Sequence, residues 1–510
     1  MFSKTVSARL REPSLETEKR SGSSVRHKGL SLFLFFCLSV VARADSSQSQ
    51  PVDTTQLTAW LTGGISSTRL VQLIQERGLA LAPTENEIRQ LQAFGADEAL
   101  VRTLAGVKPA GHSQRTSIPA ALLLAAAGAH ARRYREAELQ LRAALRIDPQ
   151  NPAIHFALAA MFRQQEQWDD AYDELTISAR LMPDFPDNHS SLAYVFYRLD
   201  DGPNAIAEAR TALSMDPQNV EAYQYLGLGL YSNGQYAAAV HAFAESLARD
   251  PDNPDTYYDM GIALQASGRL LAAAAAYRYA IHLRPAFWEA HSNLGLVLHR
   301  DGKIEEAIAE YREAKNIAPD EASVRNNLGN TYCDRGDFDA AIAELSELYR
   351  QHPDWEQGHS CLASAYMSKK DYRGAVRELQ LVIQQKPTDA AQHRLLGQAL
   401  LLDGEAEEAL REFRLAVTLD PDSDVAHHYL GTALFQDQKL QAAEKEFREA
   451  LRLKASADNH YSLAACLMSM DRYQEALTEL EIATRLEPER PLYRARREEL
   501  MKLMKDSSSR

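Results

Sequence analysis

Apolar residues recur along most of this chain in one fixed order, and the order returns every 34 residues. An alanine column runs Ala137, Ala171, Ala205, Ala239, Ala273, Ala307, Ala341, Ala375, Ala409, Ala443 and, one residue early, Ala476. Four residues on stands a large apolar side chain, as in Phe243, Tyr277, Tyr311, Phe413 and Phe447. A small residue follows three later, as in Ala280, Ala314, Ala416 and Ala450. Earlier in each unit an apolar residue, such as Leu226, Leu294, Leu328, Leu396 or Leu430, precedes a small one. That residue is Gly227, Gly261, Gly295, Gly329, Gly397 or Gly431 in six units and Ala in the other five. Steps of three, four and seven place these residues on one face of a helix. Each unit therefore predicts two helices, with a small residue on one admitting a large residue of the other. Gly234, Gly268, Gly302, Gly336 and Gly404 fall between the two runs and suit a left-handed residue closing the first helix. Pro149, Pro183, Pro217, Pro251, Pro285, Pro319, Pro353, Pro387 and Pro421 lie on the same ruler and end the second, because proline cannot continue the ladder.

Eleven such units fill residues 118–490, the tenth with Ala455 in the proline position. A period of this length means a stack of units, none of which buries its apolar face alone. The order Leu-Gly, Ala, Phe or Tyr, Ala, Pro resembles the tetratricopeptide repeat. Residues 288–321 fit it closely, with Asn293-Leu294-Gly295, Ala307, Tyr311, Ala314 and Pro319. The resemblance implies an all-α, right-handed superhelical solenoid of helix–turn–helix units whose first helices line a concave groove. Extended peptides or partner domains lie in such grooves. Carried over by position, the mid-array groove residues are Tyr225, Tyr231, Tyr258, Asp259, Asn293, His299, Asn326, Asn327, Asn330 and Asp334. The Asn293 and Asn327 positions resemble the asparagine ladder of the O-linked N-acetylglucosamine transferase repeats. There the amides hold a peptide backbone, since an amide both donates and accepts. The ladder here has two rungs, because Cys361, Leu395 and Tyr429 follow in the same position. Chaperone-tail members of the family clamp a terminal carboxylate with lysine, and no lysine stands in those positions here.

Outside the repeats, residues 1–44 read as an export signal. Arg26 and Lys28 precede an apolar run from Leu30 to Val41, and Ala42-Arg43-Ala44 offers a cleavage site. The stretch ahead of that run is long for a signal, which places the expected translation start near Val25. The expected location is the periplasm or outside the cell, with an uncleaved membrane anchor as the alternative. Residues 52–107 read as a small helical module between polar linkers, with a helix from Ser66 to Gly78. A capping box at Thr84-x-x-Glu87 opens a helix that Gly95 closes, and a last short helix begins at Asp97. The first repeat helix, Ala120 to Gly128, carries no charge, so the module is expected to dock on it as a cap. Residues 491–505 read as a closing helix, with Leu492, Leu500, Leu503 and Met504 as its apolar contacts.

The whole chain has net charge −14. Removing 1–44 leaves 48 basic against 67 acidic residues, net −19. That sign lacks the basic footprint of nucleic-acid or anionic-membrane binding and favours basic partners. Cys333, Cys361 and Cys466 are too sparse for a disulfide framework and read as packed thiols, with a single Cys333–Cys361 bond open. His155, His189, His291, His359, His393, His427 and His460 share one position, where two other units carry Tyr223 and Tyr257. One imidazole per repeat sits roughly two interaxial distances of 8–10 Å from the next, whereas zinc needs ligands about 2 Å from itself. The column therefore reads as packing. No phosphate loop, H-E-x-x-H, G-x-S-x-G or C-x-x-C occurs, so no catalytic residue, metal or cofactor is assigned. The expectation is a non-enzymatic protein- or peptide-binding scaffold in the cell envelope. Its rival is an assembly subunit of a secretion, pilus or polysaccharide machine working through other surfaces. A regulatory part in a glycosyltransferase system is a more distant one.

Overall fold

The computed structural model describes residues 50–109 and 118–508. The signal expected over 1–44 lies outside them. Within the described residues every regular element is one of 27 helices, and the chain divides into two units, 1–285 and 286–510. The first holds the N-terminal module and five helical hairpins. The second holds six hairpins and the closing helix.

The hairpins form by exchange of volume between their two helices. A Cβ placed on Gly261 would lie 2.5 Å from the Tyr277 ring, and one on Gly227 would lie 2.5 Å from Phe243. Gly295 meets Tyr311, Gly397 meets Phe413 and Gly431 meets Phe447 in the same way. Where the small residue is Ala125, Ala159, Ala363 or Ala464, the residue sixteen later shrinks to Leu141, Leu175, Leu379 or Leu480. Glycine thus goes with an aromatic in five units and with Leu345 in the seventh, while alanine goes with leucine in four and with Ala209 in the third. The turn between the helices is equally uniform. All eleven turns place one residue at φ between 58° and 93°, glycine in five and Arg132, Glu166, Asp200, Lys370, Gln438 and Asp471 in the others. The glycines of the sequence pattern are therefore one solution to a backbone requirement that every hairpin shares. The second helices stop two residues before the proline position, the tenth stopping at Leu453 although Ala455 stands there.

The module contains α1 (Thr54–Thr62), α2 (Ser67–Arg77), α3 (Glu85–Ala93) and α4 (Glu98–Gly106). Ser66, Thr84 and Asp97 cap the last three as the sequence indicated. Helix α1, which the sequence pattern did not disclose, opens on an Asp53–Gln56 capping box. The module is more than an end cap. It packs on the first helix of the first repeat (Ala120–His130) and equally on that of the second (Pro152–Gln164), ten of whose residues are buried in an unbroken run. Trp60 stacks on Phe185 with ring centroids 4.8 Å apart, and a Cβ on Gly63 would touch the Phe156 ring. Arg69 reaches deepest. Its guanidinium is buried, 3.1 Å from Asp187 and 2.8 Å from Asp216 of the third repeat. Burial pushes the Asp187 carboxyl above its ordinary range even with that cation beside it. The module thus occupies part of the first-helix face of the opening repeats.

At the other end the closing helix (Pro491–Ser508) buries Tyr493 and Leu500. Leu492 and Leu503, expected as core contacts, are about half exposed at 50% and 45%. Tyr493 takes their place by donating to Asp458 at 2.6 Å while its ring packs on Tyr461.

Gly261→Ala drives a methyl into the Tyr277 ring and is expected to cost about 1–3 kcal/mol. Adding Tyr277→Leu should recover most of that loss in urea unfolding; equal destabilisation with and without the leucine would refute the volume pairing. Arg69→Met strands the buried Asp187 carboxylate and the half-buried Asp216 and is expected to cost about 3–5 kcal/mol, read as a lower urea midpoint and as protease sensitivity of the module.

Candidate functional site

The ten groove residues fall four in the first unit and six in the second, and packing divides them. Tyr231, Tyr258 and Asp259 are buried. Asp259 accepts from Gln224 Nε2 at 3.2 Å, Tyr231 packs 5.4 Å from Tyr236, and Tyr258 packs 5.9 Å from Tyr277. Asn326 is buried too, its Oδ1 beneath the backbone of Gly358. These four support the stack and are not presented to a partner, which corrects the positional reading. Tyr225, Asn293, Asn327 and Asn330 are half-buried and Asp334 is exposed. His299 and Asp334 face each other, Nε2 to Oδ2 2.8 Å. The third rung of the asparagine position is chemically distinct. Cys361 is joined to Cys333 by a disulfide between the first helices of the seventh and eighth repeats, Cα–Cα 6.1 Å. Packed thiol describes only Cys466, which is buried.

The histidine column has a structural role and a partner that sequence reading missed. Every one of the seven rings puts Nδ1 against a glutamate nineteen residues later. The pairs are His155–Glu174, His189–Glu208, His291–Glu310, His359–Glu378, His393–Glu412, His427–Glu446 and His460–Glu479, at 2.5–2.7 Å. In His155, His393 and His427 the Nε2 also meets the carbonyl of the proline position, Pro149, Pro387 and Pro421, at 3.0–3.1 Å. A carboxylate and a carbonyl both accept, so at these three rings each ring nitrogen faces an acceptor. The seventh repeat substitutes Arg325, which donates to the Pro319 carbonyl and pairs with Glu344. Where the position holds Tyr223 or Tyr257, the glutamate is replaced by Ala242 or Ala276. The basic side chain and the glutamate are present together or absent together.

A second arrangement was not legible as a column. Arg163 and Gln164 close the first helix of the second repeat, and Trp168 opens its second helix (Trp168–Leu181). The first helix of the third repeat (Pro186–Arg198) carries Tyr194 and Arg198. These side chains converge. The Arg163 guanidinium lies 4.8 Å from the Tyr194 ring centroid and donates to Ser191 Oγ at 3.2 Å. Arg198 lies 4.1 Å from the Trp168 ring and donates to the Tyr194 hydroxyl at 3.3 Å. Tyr194 in turn packs 5.1 Å from Tyr225 and 6.0 Å from Trp168. Arg163, Trp168, Tyr194, Arg198 and Tyr225 are half-buried. Burial pushes the Tyr225 phenol up, so it stays protonated and able to donate. Among the described residues no group of three or more His, Cys, Asp or Glu is placed to hold a metal ion, and no helix is long and apolar enough to cross a membrane.

Eleven hairpins on one plan define a helical-repeat protein. Models of the tetratricopeptide repeat match residues 258–322, 298–365 and 332–399, and a TPR repeat model matches 227–268. Residues 227–399 thus belong to the tetratricopeptide repeat superfamily. No curated protein matches it. Among solved structures it is similar to MamA (41-end) from Desulfovibrio magneticus RS-1, at 22% identity over 33% of this chain and 95% of that one, TM-score 0.32. Yeast Tom70 is 14% identical over 76% of this chain and 96% of its own, TM-score 0.31. PilF of Pseudomonas aeruginosa is 19% identical over 41% and 94%, TM-score 0.37.

Burial alone would push the His155 imidazole down. The Glu174 carboxylate and the Pro149 carbonyl together outweigh burial and the nearby Arg180, so its pKa is raised. A raised folded value means the pair's stabilisation is fully present below the ordinary histidine pKa of about 6.5 and is lost as pH climbs through the folded value. The gap in urea midpoint between the wild type and Glu174→Gln should therefore be widest near about pH 6 and narrow toward about pH 9. A gap constant with pH would mean the pair is uncharged.

Proposed function

We propose that this chain is an exported, non-enzymatic scaffold that binds a protein or extended peptide on the first-helix face of its repeats. The observation that carries the reading is made in each unit separately: Tyr194 and Tyr225 are half-exposed in the first, and Asn327 and Asn330 in the second. The repeat's packing columns are buried around them, so these aromatic rings and amides are not consumed by the fold. Rigid aromatic side chains that keep a wet edge are the groups that dominate protein interfaces. The module covers part of that face in the first three repeats, and Tyr194 and Tyr225 stay half-exposed there.

The disulfide supports export, since such bonds persist in oxidising compartments outside the cytosol. Cys333 and Cys361 lie one repeat apart on neighbouring first helices, so the bond fixes the spacing of that face as well.

The test is retention of envelope proteins on the immobilised chain, quantified by mass spectrometry, for the wild type and for Tyr225→Ala with Asn327→Ala. Loss of one aromatic anchor costs about 2 kcal/mol or more at an interface, roughly thirty-fold in affinity. The retained partner is expected to fall by at least that factor. Retention equal to wild type would move the binding surface elsewhere and favour the assembly-subunit reading.

A further inference from the structure

We propose that the Arg163–Arg198 cluster is a docking site for an acidic protein segment carrying aromatic side chains. The inference rests on the scaffold reading above and names the partner class for one part of that face.

Charge is the first argument. The chain is strongly acidic, and several of its partly buried cations are neutralised by carboxylates, although Arg394, over the Tyr429 ring, has Gln398 instead. Arg69 has Asp187 and Asp216, Arg284 has Asp255, and Arg325 has Glu344. Arg163 and Arg198 differ. Among the described residues neither has a carboxylate within ion-pair distance, and their polar partners are the Ser191 and Tyr194 hydroxyls. The buried Asp259 carboxylate accepts from Gln224. The local sign is thus opposite to the global one. Composition pointed to basic partners, and this site points the other way.

Geometry is the second. Each guanidinium lies against an aromatic ring, Arg163 on Tyr194 and Arg198 on Trp168, which desolvates one face and leaves the N–H edge for a ligand. A guanidinium fork held by stacking matches a carboxylate with two parallel hydrogen bonds and loses little side-chain entropy on binding. Two such forks around Tyr194 match two acidic groups on one extended segment. The rings of Tyr194, Tyr225 and Trp168 form a shelf beside them, which fits an aromatic side chain of the same segment.

A random copolymer of glutamate and tyrosine serves as the probe, with polyglutamate, polylysine and polygalacturonate for comparison. Binding is followed by thermophoresis on the whole exported chain. The glutamate–tyrosine copolymer is expected to bind more tightly than polyglutamate. Arg163→Gln and Arg198→Gln should each weaken it by about tenfold, the scale of a lost hydrogen bond to a charged group, and the double variant should abolish it. Arg163→Lys, which keeps charge but not the fork, should fall between. Arg210→Gln, on the exposed face of a second helix, should leave affinity unchanged. Circular dichroism and urea midpoints confirm that each variant is folded. No binding by the wild type, or equal binding by a folded double variant, would overturn the proposal. Polygalacturonate bound as tightly as the copolymer would overturn it in favour of an acidic polysaccharide. If the copolymer fails while envelope proteins are still retained through Tyr225 and Asn327, the scaffold reading stands and this inference alone falls.

Discussion

The size exchange between the two helices of each hairpin is the constraint on which the rest depends. Gly261 and Tyr277 fit only together, because a methyl on one would enter the ring of the other. That contact sets how closely the helices approach. The approach sets where the next hairpin docks and which first-helix positions remain open to water. Tyr194 and Tyr225 are half-exposed because the columns beside them, Ala193 with Ala209 and Gly227 with Phe243, already fill the interior. A functional surface here is what remains after packing has taken its share.

Much of the fold was legible because each packing rule repeats eleven times. The helix boundaries, the alanine column and three of the module's caps follow from period and capping chemistry. The six turns without glycine were less visible. Arg132, Glu166, Asp200, Lys370, Gln438 and Asp471 adopt the left-handed conformation because the flanking helices demand it, not because their own preferences favour it. Local propensity yields to tertiary context when both ends of a turn are fixed.

The site was legible only in part, for a geometrical reason. Alignment columns compare residues 34 apart, but first helices of adjacent repeats are staggered, and facing residues are separated by other intervals. Arg163 meets Ser191 at 28, Tyr194 meets Tyr225 at 31, and Gln224 meets Asp259 at 35. A column shows which residues share a face and says nothing of which touch. Hence position puts both His299 and Asp334 on the groove face without showing that they bond to each other. The glutamates paired with the histidine column were missed for a similar reason, since they lie on the second helix and nineteen residues away.

The cross-link between Cys333 and Cys361 carries a mechanical implication. A pile of hairpins held by side-chain contacts behaves as a spring, and each junction between neighbours contributes compliance. One covalent rivet between two first helices makes that junction stiff while its neighbours stay soft. Stretching or winding of this half of the molecule must then be taken up on either side of the rivet. A guest that needs the coil to tighten would find the eighth repeat a fixed wall and the adjoining repeats yielding.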